Sequence, residues 1–215
     1  MVPRIAIAGV AAAVLAGTAG AGTRAAPPFT ATVTRATAAQ LHFSYRHGCP
    51  VGPAALRHLR LAYWGFDGRR HLGTLVVATG VTGDVVAVFR RLYRARFPIR
   101  RIRPIDAYRG SDDRSMAADN TSAFNCRRAV ASGPPQWSAH AYGEAIDVNP
   151  LENPYVLDGK VRPPRGARYA DRANVRPGMA VAGGVLVRAF AAVGWQWGGR
   201  WTASPDYQHF SSTGA

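Results

Sequence analysis

SAHAYGEAID, residues 138–147, decides how the second half of the chain is read, because it sets His140 and Asp147 seven residues apart around Gly143. Its last residues continue into AIDVNP, an apolar-biased stretch that Pro150 ends, which reads as a strand. Gly143 supplies the tight turn before it. Further on, PDYQHF, residues 205–210, adds a second acid, Asp206, and a second histidine, His209. A hydrolytic zinc ion takes three protein nitrogen or oxygen ligands and keeps a fourth position open for water. His140, Asp147 and His209 provide such a set. Asp206, three residues before His209, can then reach the attacking water as a general base without being a ligand. The competing reading is two polar loops whose spacing is chance.

The rest of the carboxylate inventory narrows the choice of base. The only glutamates are Glu144 and Glu152, no His-Glu-x-x-His helix motif occurs, and Glu144 stands as the main rival to Asp206. His42, His47, His58 and His71 lie among arginines or on amphipathic segments and read as surface or packing residues. Cys49 and Cys126 form no Cys-x-x-Cys pair, which argues against cysteine metal ligation. In an oxidising compartment they are expected to form one disulfide, against the alternative of two buried thiols.

Working outward, Gly52 precedes PAALRHLRLAYW, whose proline start and apolar spacing predict a short helix. HLGTLVVAT reads as a strand. TGDVVAVFRRLYRARF predicts a helix with Thr82 as N-cap, Asp84 in the first turn, and Val85, Val88, Phe89, Leu92 and Tyr93 on one face. Pro98 ends it. Residues 99–108 read as a strand entering the long polar loop RGSDDRSMAADN. A Pro-rich excursion follows at 151–178, then the helix candidate GGVLVRAFAAVGW and closing strands at WQWGGRW and QHFSS. The order predicts an α+β fold, a small and mainly antiparallel sheet flanked by helices.

The N-terminal 27 residues read as a signal peptide: Arg4, an apolar run from Ile5 to Leu15, and an Ala19-x-Ala21 cleavage pattern. The run is short of the roughly 20 apolar residues a membrane span needs, so no membrane span is expected after processing. Residues 28–40 read as a disordered linker and 41–215 as the folded domain, an expected monomer acting outside the cytoplasm, secreted or in the cell envelope. The formal net charge of +15 would suggest a polyanion partner, but nearly all of it is arginine in an Ala-, Gly- and Pro-rich chain, with Lys160 the only lysine. Nucleic acid is therefore not expected as a partner. The local cluster RRLYRARFPIRRIR, residues 90–103, suits either an anionic cell-envelope polymer or a solvated face.

The pattern Ser138-x-His140-x-x-Gly143-x-Ala145-x-Asp147, then Asp206-x-x-His209 behind Trp195, Trp197 and Trp201, resembles the VanY-like zinc peptidases of peptidoglycan. These are the D-alanyl-D-alanine carboxypeptidases and L-alanyl-D-glutamate endopeptidases, related in fold to lysostaphin and the hedgehog signalling domain. NTSAFNCR and WGGRW look like the same family. The resemblance implies one Zn2+ held by His140, Asp147 and His209, with Asp206 as acid/base and stem peptides of peptidoglycan as substrate. It also implies an arginine that holds the substrate, for which Arg109 in DAYRG fits best and Arg127 in NTSAFNCR competes, with Ser138 and Ser122 as further substrate contacts. Two positions depart from the family pattern: Ser211, where many relatives carry Glu, and Asp119, where Asn is expected. A catalytically silent wall- or metal-binding module of the same fold is the alternative, and intact Asp206 argues against it.

Overall fold

A computed structural model describes Met1 and residues 27–130 and 134–214; the expected signal segment lies outside the described residues apart from its two ends. The architecture is α+β. Strands β1 (Ala31–Arg35), β2 (Leu56–Trp64) and β3 (Arg70–Ala78) form an antiparallel sheet in the order β1-β2-β3. A second sheet joins β4 (Ala145–Asp147), β8 (His209–Ser211) and β7 (Gln196–Trp197) in the order β4-β8-β7. Strands β5 (Tyr155–Leu157) and β6 (Lys160–Arg162) make a separate hairpin. Helices α1 (Thr82–Arg94) and α3 (Val185–Ala191) pack together over the main core, while α2 (Asp112–Ala117) stands near the cleft described below. The antiparallel strands are thus divided among three small sheets.

Residues 53–64, expected as a helix, are a short 3-10 turn (Pro53–Ala55) followed by β2. Two periodicities compete in LRHLRLAYW, and the one of two residues wins, since strand burial recruits both faces. Leu59, Leu61 and Tyr63 enter the main core beside Val85, Phe89 and Leu92 of α1, whereas Ala62 and Trp64 pack with Tyr93 on the other side. β3 and α1 form where expected, and the five apolar residues expected on one face of α1 are its buried ones. Thr82 does not cap α1. It is the first helical residue, and its hydroxyl donates to the carbonyls of Ala78 and Thr79.

Residues 28–40, expected as a linker, are also corrected. β1 pairs along its whole length with β2, from Ala31↔Leu61 to Arg35↔Arg57. All five side chains are exposed, so no buried face marks the strand in the sequence, and backbone pairing alone orders it. Phe29 against Tyr93, and a hydrogen bond from the Tyr93 hydroxyl to the Pro27 carbonyl, anchor the entry. The polar loop after Tyr108 holds α2, which Ser111 caps by accepting from the Arg114 amide with Asp112 and Asp113 in the first turn.

Residues 120–126, NTSAFNC, run buried through the middle and stitch the parts together. Their amides reach Arg101, Asp147, Val76, His140 and Ser44 through Thr121, Ser122, Phe124, Asn125 and Cys126 in turn. Cys126 closes the disulfide with Cys49 expected from the sequence. No helix among the described residues is long and apolar enough to cross a membrane.

Candidate active site

The register of β4 on β8 explains how two distant motifs meet. Asp147 lies directly opposite His209, and Ile146 opposite Phe210. Period-two alternation sends Ile146 and Phe210 into the core, where Phe210 stacks on Phe190 at 4.1 Å. Asp147 and His209 therefore share the opposite face. His140 arrives from a 3-10 turn (Ala139–Tyr142) that Ser138 caps by accepting from the His140 amide. Gly143 ends that turn at φ +73, and a Cβ there would stand 2.7 Å from the Ala78 amide nitrogen. Only glycine lets the loop lie so close to β3 while turning left-handed.

Three side chains converge as a result. His140 Nε2 is 3.2 Å from His209 Nδ1 and 3.2 Å from Asp147 Oδ2, and His209 Nδ1 is 3.2 Å from Asp147 Oδ1. Ligands held about 2.0–2.1 Å from a tetrahedral zinc stand about 3.3 Å apart, so the donor set and its spacing fit such an ion. His140 Nδ1 donates to the Ala123 carbonyl at 2.6 Å, a bond that leaves the Nε2 lone pair facing the other two donors. Burial works against charge on Asp147, yet His140 and His209 outweigh it and hold the carboxyl well below the usual range. Burial likewise opposes protonation of His140, but the Asp147 charge prevails and raises it.

Asp206 sits at the same cleft, outside the triad. Burial, then the Asp147 charge, pushes its carboxyl up to about 7, and its Oδ1 is buried without a hydrogen-bond partner among the described residues. The backbone fixes its place. Its amide donates to the Gly198 carbonyl, and its residue bridges to Tyr155 of β5. The cleft, about 360 Å³, is walled by Trp137 and Arg127 on one side of the chain's path and by Tyr155, Arg162 and Trp201 elsewhere along it. Arg127 forms an ion pair with Asp112 of α2, which also accepts from Asn125 at 2.7 Å.

The remaining expected site residues separate here. Arg127 and Ser138 line the cleft. Arg109 does not: at the left-handed end of a 3-10 turn (Ile105–Tyr108), its guanidinium lies over Phe43 at 5.5 Å. Ser122 also stays out of the cleft lining, and its backbone instead pairs with Asp147 through both amides. Glu144, the rival base, is likewise absent from that lining. Ser211 is buried, with its hydroxyl accepting from the Gly214 amide. Asp119 accepts from the Leu151 amide at 2.9 Å from a backbone at φ +55, and lies beside Glu152.

With this geometry in place, one comparison with known proteins finds a match. Residues 132–212 match the D-alanyl-D-alanine carboxypeptidase family model. The matched segment contains His140, Asp147, Asp206 and His209, and the match supports a peptidase of the D-alanyl-D-alanine carboxypeptidase type. No curated protein and no solved structure gives a match. Within the segment, Gly198 has a role that sequence reasoning missed. A Cβ there would come 2.8 Å from the Asp206 carbonyl oxygen and 3.2 Å from the Cβ atoms of Asp206 and His209. The signal was the Gly-Gly of WGGRW, a motif of the resemblance to which no role was attached. Trp137, Tyr155, Arg162 and Gln208 line the cleft without any sequence signal to mark them.

Proposed function

We propose that the chain is an exported, monomeric zinc peptidase that hydrolyses peptide bonds in the stem peptides of peptidoglycan, in the manner of a D-alanyl-D-alanine carboxypeptidase. The observation that carries this reading is the convergence of His140, Asp147 and His209 at mutual distances of 3.2 Å beside a separate buried acid, Asp206. His140, Asp147 and His209 would hold the ion. Bound there, zinc supplies a Lewis acid and brings the pKa of a coordinated water to roughly 7.

The chain's own residues do the rest. Asp206, with an unpartnered buried oxygen in the cleft, takes the proton from the attacking water and returns it to the leaving amine. Its buried surroundings, which favour the neutral acid, suit the second transfer, and its ionised form serves the first. Arg127, oriented by Asp112, places a fixed positive charge at the cleft for the developing oxyanion or a substrate carboxylate. The Ala123 carbonyl keeps His140 in one tautomer, and the Ser122 backbone holds Asp147 on β4. Trp137, Tyr155 and Trp201 give the cleft apolar walls that exclude water from the peptide.

The test combines elemental analysis with digestion of defined stem peptides by the full chain freed of its N-terminal segment. One zinc per chain and release of terminal D-alanine are expected. Protein that takes up no zinc would remove the basis of the proposal, and zinc without turnover of any stem peptide would leave a silent binding module of the same fold.

A further inference from the structure

A second groove, of about 540 Å³, lies away from the cleft and shares none of its lining residues. Residues 100–104 run along the open edge of β3 and form one wall. Their backbone is fixed from both sides. The Ile102 carbonyl accepts from the Thr74 amide, the Arg101 carbonyl from the Thr121 amide, and the Arg103 carbonyl from Asn120 Nδ2. Gly73 makes this closeness possible, since a Cβ there would stand 2.4 Å from Ile102 Cβ. Ile102 is 2% exposed and plugs the core, so alternation turns Arg101 and Arg103 the other way.

These two arginines differ from their neighbour. Arg100 is engaged by Asp119 and Glu152 and lies 4.2 Å over the Phe66 ring. Arg101 and Arg103 form no ion pair among the described residues, and Arg101 Nε is buried without a hydrogen-bond partner among them. No acid lines the groove. Asp67, an acid whose charge reaches Tyr63, is tied to His71 at 3.0 Å. Arg101, Arg103 and Tyr63 line the same groove, where burial raises the Tyr63 phenol and the two guanidiniums lower it.

We propose that this groove is an anion-binding site for a flexible polyol phosphate chain, with Arg101 and Arg103 taking successive phosphates. Two extended residues span roughly 6–7 Å, which a backbone with phosphates a few bonds apart can match. Guanidinium forks pair bidentately with phosphate oxygens, and anchoring the backbone beforehand reduces the ordering cost of each contact. A single-stranded nucleic acid is held by ring faces on which its bases stack as well as by its phosphates. The aromatic rings here are spent on each other: Tyr63 and His71 stack at 5.4 Å, and Tyr63 is 7% exposed. The site would hold the protein at an anionic polymer while the cleft remains open.

The probe is a poly(glycerol phosphate) oligomer, titrated against the full chain at several salt concentrations, with single-stranded DNA of equal charge as comparison. Wild type should bind the oligomer more tightly than the DNA. In Arg101→Gln/Arg103→Gln the slope of log K against log salt should shrink by about 0.7–0.9 per lost arginine. The lysine pair Arg101→Lys/Arg103→Lys should keep most of the slope. Asp206→Asn should bind as wild type does, which separates this site from the peptidase reading. Should the double glutamine variant fold poorly, Arg103→Gln alone carries the test, because that side chain is exposed. An unchanged slope in the glutamine variants overturns the proposal, as does DNA binding equal to or tighter than the oligomer.

Discussion

Asp206 and its neighbours set the chemistry at the scale of single residues. If Asp206 is the acid/base and not a ligand, Asp206→Asn should retain zinc near wild-type stoichiometry while kcat falls by roughly 10²-fold or more. His140→Ala, Asp147→Ala and His209→Ala should each lose metal and activity together. Paired metal and rate measurements separate the two classes. A carboxyl held up to about 7 by burial and by Asp147 must be ionised to accept a proton. In kcat/KM profiles the acid limb should therefore lie at or below about pH 7, and a bound cation moves it downward. Gly198 makes a further test, because Gly198→Ala forces a Cβ to within 2.8 Å of the Asp206 carbonyl oxygen. Displacement of about 1 Å costs on the order of 10²-fold in rate. The kcat of Gly198→Ala should fall accordingly while the far-UV circular dichroism spectrum and the thermal midpoint still report a folded core.

Elements bring these residues together, and the stitching segment 120–126 is the one on which most depends. It contacts His140 through Ala123 and Asn125 and Asp147 through Ser122, and is tied at its end by Cys126 to Cys49. The bridge spans 77 residues of sequence separation, for which the chain-entropy account gives about 4.5 kcal/mol, just above the usual 2–4. Cys49→Ala/Cys126→Ala should lose stability on that scale in denaturant titrations, with reduced activity at temperatures where the fold begins to open. Reading the same segment from the sequence gave Ser122 a substrate role. In the structure its backbone pairs with that of Asp147, and backbone pairing leaves no side-chain signature. β2 shows the same limit. Its apolar residues satisfy a helical and an alternating pattern alike until α1 and Tyr93 supply two surfaces to cover.

Across the whole molecule, a buried acid pair makes stability depend on pH. Glu152 is 1% exposed beside Asp119, with Arg100 at 3.4 Å from Asp119 and 3.9 Å from Glu152 as their shared cation. Burial first, then the Asp119 charge, pushes Glu152 up to about 8. An unfolded Glu ionises near its ordinary value of 4.5, so between that and about 8 the native state holds a proton that the unfolded state has released. The contribution is full below about 4.5 and is lost as pH rises through about 8. Glu152→Gln should raise the thermal midpoint at pH 8, by about 2–4 °C for each kcal/mol recovered, with a much smaller difference near pH 5. Equal shifts at both pH values would assign the effect to packing. The expected Asn at 119 would have left Glu152 a neutral neighbour, so the departure noted in the sequence adds to a cost that burial begins.

Sequence alone marked out His140, Asp147, Asp206 and His209, the α1 face, β3, β4, the disulfide partners and the α+β class, because each rests on residue type or on a local period that needs no distant partner. Tertiary structure decided which of them meet. Pairing Asp147 with His209 is a matter of β4–β8 register, and a slip of one residue would have buried both among Ile146 and Phe210's neighbours. Choosing Arg127 over Arg109 depended on α2, whose Asp112 turns one guanidinium to the cleft while Phe43 holds the other away. The arginine run 90–103, uniform in sequence, separates in space: Arg90 and Arg96 lie over Phe29 and Trp64, and Arg101 and Arg103 face a groove. Charge is written in the residues, but what it faces is fixed only when long-range backbone hydrogen bonds place one segment against another.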